Sequence, residues 1–307
     1  MAGMARTHLK RKQIKNLITV GICIAPSLLI TLIFIYFAFA FCAFLSLQNW
    51  NMLSPMRFIG LGNYITAFTT SEFWNSVRVT FAYVLFAVPI CVALGLLIGL
   101  LLDWISFARS FFRLMLYLPV IVSMVVAATV WRLLFNPDVG QINQFLYAWG
   151  IKSSHWTSWW NDPRGGALVT ILTVGIWKRM GYNGVLFLAG LKNISPTFYE
   201  AATIDGANAI QKFFRITLPL LSPTTFLVTM VQIIASFKVV ESVMLMTVSD
   251  LGGPSHSTEV MVLYIYLNAF KFFRMGYASA ISMTLFVIIL LFTIVQLVLE
   301  KKIVHYQ

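Results

Sequence analysis

Charge disappears from this chain in long blocks. Residues 16–56, 79–102, 114–131 and 275–299 contain no Asp, Glu, Lys or Arg. Two further apolar blocks are interrupted, 167–191 by Lys178 and Arg179 and 216–249 by Lys238 and Glu241. A helix needs roughly 18–20 residues to cross about 30 Å of hydrocarbon, and all six blocks reach that length. Lipid offers no hydrogen bonds to an open backbone, and segments this long suit helices rather than barrel strands. The pattern predicts an all-α integral membrane protein with six transmembrane helices, at about 17–47, 79–102, 114–131, 167–191, 216–249 and 275–299. A basic segment, 1–16, precedes them and a short tail, 301–307, follows.

Composition agrees. The chain is 59% hydrophobic and only 10% charged, where a soluble domain carries about a quarter charged residues. Arg6, Lys10, Arg11, Lys12 and Lys15 stand ahead of the first apolar run as in a secretory leader. That run is far longer than the roughly 7–15 residues of a leader's core, and no small-x-small cleavage site fits it. It is read as an uncleaved span. Cys23, Cys42 and Cys91 all fall within spans, as small packing residues without metal or disulfide spacing.

The net charge of +12 is distributed for a membrane, not for nucleic acid. With the N-terminus inside, about 1–16, 103–113, 192–215 and 300–307 are cytoplasmic, and about 48–78, 132–166 and 250–274 lie outside. Twelve Lys and Arg then occupy about 59 inside positions, against seven over about 91 outside. This more than twofold bias is the positive-inside signature, so both termini are expected in the cytoplasm. Trp50, Tyr64, Phe68, Trp74, Trp149, Trp156, Trp159 and Trp160 in the outer loops are interfacial anchors or a partner's footing.

The inside loop 192–215 has more structure than a connector needs. Ser195 and Pro196 suit the N-cap and first position of a short helix, and Thr197 with Glu200 offers a second capping spacing. Asp205-Gly206 ends it, a second short helix follows near 208–214, and Pro219 can open the next span. The first helix is too short to stand alone in water. Phe198, Tyr199, Ala201, Ala202 and Ile204 give it a contact face with no cover in its own loop. Either it fills a groove on a partner or it lies on the bilayer; physics alone leaves both open.

Glu200-Ala201-Ala202, three residues, Gly206, nine residues, Ile216, one residue, Leu218-Pro219 resembles the EAA signature of ABC importer permeases, with every fixed position present. Phe58-Ile-Gly-Leu-Gly-Asn-Tyr64, Ile176-Trp177-Lys178, Leu186-Phe-Leu-Ala-Gly-Leu191, Ser236-Phe-Lys238, Met246-Thr247, Gly252-Gly-Pro254 and Phe272-Phe-Arg-Met-Gly-Tyr-Ala278 resemble segments of the carbohydrate (maltose-type) branch. Together they cover roughly residues 25–300, although 247–252 looks about three residues longer than usual. The resemblance implies a bacterial cytoplasmic-membrane permease subunit that carries a carbohydrate inward. It implies a coupling helix with Glu200, Ala201, Ala202, Asp205 and Gly206 seated in a cytoplasmic ABC ATPase dimer. Mg-ATP would bind that dimer, with no cofactor in this chain. A second homologous permease subunit and an extracytoplasmic solute-binding protein would complete the assembly. A substrate path is implied at Val120, Met124, Trp177, Lys178, Arg179, Gln232, Ser236 and Lys238, with Val239 nearby.

Ionisable groups within spans face a cavity or each other. Lys238 and Glu241, three apart, can pair on one helix face, and Lys178 or Arg179 can snorkel. Alternatively Arg179 and Lys238 bind an anionic sugar such as a uronate. No phosphate-cradling Gly-x-x-x-x-Gly-Lys-Ser/Thr occurs, so an ATPase would be another chain. His8, His155, His256 and His305 are too scattered for a metal or a catalytic set. A secondary transporter is the competing reading. It predicts repeated halves and coupling carboxylates, where Glu241 is the single interior acid.

Overall fold

The computed structural model describes residues 19–105, 107–136, 139–150, 166–247 and 251–303. The basic start, Trp156, Trp159, Trp160, residues 248–250 of the lengthened outer loop and the end of the tail lie outside the described residues. The regular structure of the rest is helical apart from one ribbon of two-residue strands. Helix α1 (Thr19–Leu45) leads into antiparallel strands β1 (Gln48–Asn49) and β2 (Arg57–Phe58), then α2 (Gly62–Thr69) and α3 (Ser71–Trp104). Helices α4 (Arg109–Ile121), α5 (Met124–Leu134), α6 (Gln141–Ala148) and α7 (Gly166–Lys192) follow. The second half holds α8 (Pro196–Ile204), α9 (Ala209–Leu220), α10 (Ser222–Phe237), α11 (Glu241–Met246), α12 (Met261–Tyr266) and α13 (Met275–Ile303).

Among the described residues α1, α3 and α13 are each long and apolar enough to cross a membrane, and two bent pairs, α4 with α5 and α9 with α10, can each supply another crossing. Helix α7, 27 residues and about 40 Å long, has the length for a sixth crossing, although polar residues in its middle keep it from qualifying on composition. The expected single helix over 114–131 is corrected: α4 and α5 meet at 95°. Pro119 has no N–H and crowds the preceding turn, and Val122 and Ser123 then run extended. The expected span over 216–249 is also not one helix. It bends by 63° between α9 and α10, where Pro223, not Pro219, sits in the first turn of α10. It breaks again at Lys238, with Val240 at φ −150°, ψ −41°, where two successive β-branched residues disfavour helix.

The core is the α3–α7 pair. A Cβ on Gly95 would stand 2.5 Å from the Asn183 Cβ, and one on Gly99 would stand 2.7 Å from the Phe187 Cβ. Small residues four apart let two backbones approach in lipid, where packing replaces the hydrophobic drive. Helix α4 crosses α7 at Gly181, where a side chain would strike the Leu116 carbonyl. Phe73, Phe237, Met261 and Ile281 join α3, α10, α12 and α13 in one buried cluster. By contrast α1 is exposed along nearly its whole length.

The small ribbon was not foreseen, and it ties the exit of α1 to the entry of α13. Asn63 Nδ2 donates to the Ser46 and Gln48 carbonyls at 2.9 and 2.8 Å. The Tyr64 hydroxyl donates to Ser46 Oγ at 2.9 Å, and the Gly276 N–H to the Trp50 carbonyl at 3.2 Å.

Candidate functional site: an exposed helix and a charged cavity

Helix α8 has no buried residue. Ser195 is its N-cap and Pro196 its first residue, but no side chain bonds the cap backbone; Ser195 Oγ instead pairs with Thr197 Oγ1 at 2.9 Å. The expected Thr197–Glu200 box is therefore absent. The helix stops on a Schellman turn: the Gly206 N–H reaches the Thr203 carbonyl at 3.1 Å and the Ala207 N–H the Ala202 carbonyl at 2.9 Å. Gly206 has φ +75° there, a conformation other residues adopt only with strain. Glu200, Ala201, Asp205 and Gly206 are exposed and Ala202 is half-buried. Large apolar side chains flank them uncovered, Ile204 at 87% and Ile210 at 69% exposure, the kind of patch that meets a partner or a membrane.

A capping box that sequence reading missed begins α9. Asn208 Oδ1 accepts from the Gln211 N–H at 2.8 Å, and Gln211 Oε1 accepts from the Asn208 N–H at 2.9 Å; the Asn-x-x-Gln spacing was its signal. Two side-chain bonds clamp α8 onto α9: Lys212 Nζ donates to Thr203 Oγ1 at 2.8 Å, and the Tyr199 and Thr217 hydroxyls pair at 3.0 Å.

The second feature is a cavity of about 400 Å³ where the two broken spans face the middle of α7. It is lined by Val120, Met124, Lys178, Arg179, Gln232 and Lys238, all anticipated, by Glu241, expected to face a cavity or another charge, and by Gly175, Tyr182, Val231 and Ala235, which were not put forward. Irregular backbone at membrane depth is tolerated where it lines such a space. Lys178 explains how the α4–α5 break is stabilised. Its Nζ donates to the Val122 carbonyl at 2.6 Å and lies 3.4 and 3.5 Å from those of Pro119 and Val120, so a cation closes the C-terminal end of α4. Arg179 turns toward α10, with Nη1 3.4 Å from Ser236 Oγ and Nη2 3.4 Å from the Ala235 carbonyl. Ser236 is thus fully buried behind the cavity rather than on it.

Two expectations change. Trp177 does not line the cavity: its ring meets Trp131 of α5 edge-on, centroids 5.8 Å apart. Successive helical residues point about 100° apart, so Trp177, Lys178 and Arg179 face three different neighbours. No ion pair joins Lys238 to Glu241 among the described residues, because the helix breaks between them. Gln232 is 2% exposed; its Nε2 donates to Asn183 Oδ1 at 2.8 Å, and Asn183 Nδ2 to the Cys91 carbonyl at 3.2 Å. Its own Oε1 has no hydrogen-bond partner.

Comparison with known proteins places this geometry. Residues 64–305 match the family described as binding-protein-dependent transport system inner membrane component. The probable ABC transporter permease protein YesP of Bacillus subtilis (strain 168) is 37% identical over 266 residues, covering 86% of this chain and 84% of its own. The sn-glycerol-3-phosphate transport system permease protein UgpA of Shigella flexneri is 30% identical over 285 residues, 92% and 94% of the two chains. A chain in the crystal structure of a bacterial ABC transporter involved in import of the acidic polysaccharide alginate has the same fold. Its TM-score is 0.78 at 23% identity, over 96% of this chain and 99% of that one. This chain belongs to the inner-membrane components of binding-protein-dependent transport systems, the permease subunits of ABC transporters.

Proposed function

We propose that this chain is one half of the transmembrane path of an ATP-driven importer for a carbohydrate or closely related polyol. A second permease of like fold completes the path. A solute-binding protein delivers the solute outside, and a separate ATPase dimer, which holds Mg-ATP, engages α8. One observation carries the reading: α8 holds Glu200, Ala201, Asp205 and Gly206 exposed on a helix closed by a Schellman turn and clamped to the span that lines the cavity. The alginate importer has also been crystallised with an alginate pentasaccharide-bound periplasmic protein, and the sn-glycerol-3-phosphate relative carries a polyol phosphate by its name; both support a polar, hydroxylated solute.

Glu200→Lys and Gly206→Pro test the coupling role. Proline holds φ near −65° and cannot adopt the +75° of Gly206. ATP-driven uptake is expected to fall roughly 5- to 150-fold, the range of a lost coupling free energy, at unchanged amounts of membrane-inserted protein. A cysteine at Ile204 should crosslink to the ATPase chain. Normal uptake in both variants, or crosslinks to lipid probes alone, overturns it.

A further inference from the structure

With the cavity taken as the solute path, as proposed above, we infer that it selects a hydroxylated anion: a solute bearing a carboxylate or a phosphate monoester beside free hydroxyls. Lys178, Arg179 and Lys238 line it against the single carboxylate of Glu241, an excess of two positive charges. The protein uses the three cations unequally. Lys178 is committed to the carbonyls that end α4. Arg179 makes two long contacts, both at 3.4 Å, and also interacts with the Tyr83 hydroxyl; none of these three partners is an anion, so its charge is not neutralised by them. Lys238 is exposed at the end of α10 and forms no ion pair among the described residues. Glu241 sits in the first turn of α11, where the helix end already favours its charge.

Cations held at membrane depth pair with carbonyls, as Lys178 does, or with an opposite charge, and apolar walls such as Val120, Met124 and Val231 strengthen whatever attraction an anion offers. The cavity supplies one more demand. Gln232 lines the cavity and its Oε1 is buried without a partner; an unpaired buried acceptor is costly, and a solute hydroxyl that displaces the covering side chains would satisfy it. A neutral sugar answers Gln232 and leaves Arg179 and Lys238 without an anion. A simple anion does the reverse. A sugar acid or a polyol phosphate answers both.

The assembled importer in nanodiscs, without its solute-binding protein, is titrated calorimetrically with three probes: digalacturonate, glycerol 3-phosphate, and the uncharged dimethyl ester of digalacturonate. At least one anion is expected to bind roughly ten-fold or more tightly than the ester, about 1.4 kcal/mol. The pattern across the two anions tells carboxylate from phosphate recognition. Lys238→Met should remove most of that advantage and move the ester less than about two-fold, while Lys238→Arg, which keeps the charge, should retain it. Wild type that binds the ester as tightly as the anions, or binds neither anion, overturns the inference. So does a Lys238→Met loss shared equally by charged and uncharged probes, the pattern expected if the second subunit supplies the counter-charge. Val231→Trp, at a partly exposed lining position, fills the space and should abolish binding of every probe. Probe binding that survives it puts the solute path elsewhere, and that failure is distinct from a failure of charge selection.

Discussion

Lys178 and Arg179 are adjacent in sequence and serve different neighbours. Removing the Lys178 ammonium leaves the end of α4 without its cap. Lys178→Met is expected to cost roughly 1–3 kcal/mol, the value of a charged hydrogen bond with buried acceptors. The thermal unfolding midpoint of the assembled protein in nanodiscs should fall by a few degrees, with anion-over-ester preference largely kept. An unchanged midpoint would argue against the cap. The charge of these residues was legible in the sequence, and so was their cost in lipid. Their direction was not, because a 100° step per residue turns one dipeptide toward two different spans. Trp177 was misplaced for the same reason. Gly276 shows the opposite case. The sequence marked its segment by family likeness alone, and the structure supplies the physics: a methyl group there would strike the Gln48 carbonyl.

At the scale of elements, helices without chain breaks were the most readable. Both α3 and α13 contain charge-free blocks of spanning length, and α8 begins and ends at the residues whose capping chemistry predicts it. The breaks were not readable. Pro119 announced a weak point, but Pro89 sits inside α3 without ending it, so a proline alone does not decide. What decides is whether a distant segment of the chain can satisfy the freed carbonyls, and Lys178 lies 56 residues from Val122. The α3–α7 contact yields a sharper expectation. Gly99→Leu pushes a side chain into the Phe187 Cβ and the Leu188 backbone, an overpacking cost of roughly 1–3 kcal/mol or more. Gly21→Leu on α1, where nothing lies within 4 Å, is the matched control. Fluorescence-detected size exclusion should show loss of monodisperse protein for Gly99→Leu alone; equal profiles would mean the two helices do not pack this way.

For the whole molecule, the two ends of α3 set the frame. Near its start, Asn75 Nδ2 donates to the His256 carbonyl at 2.9 Å; near its end, Asp103 pairs with Lys192, just before α8. At 34 residues the helix is about 50 Å long, so the 254–258 loop and α8 stand at opposite faces of the membrane. In a variant with Cys23, Cys42 and Cys91 replaced, an impermeant maleimide should label Thr197→Cys only from the cytoplasm and Ser255→Cys only from outside. Labelling of both from one side would contradict the arrangement. One further consequence follows from the clamp between α8 and α9. Because α9 turns directly into α10, and α10 ends at Lys238, a tilt imposed on α8 by a motor would shift a positive charge some 24 Å further along the chain. Linkage is symmetric in equilibrium terms. A solute that holds Lys238 in place must therefore alter how readily the motor changes its own grip, so cargo and fuel would each feel the other's presence through a single bent rod.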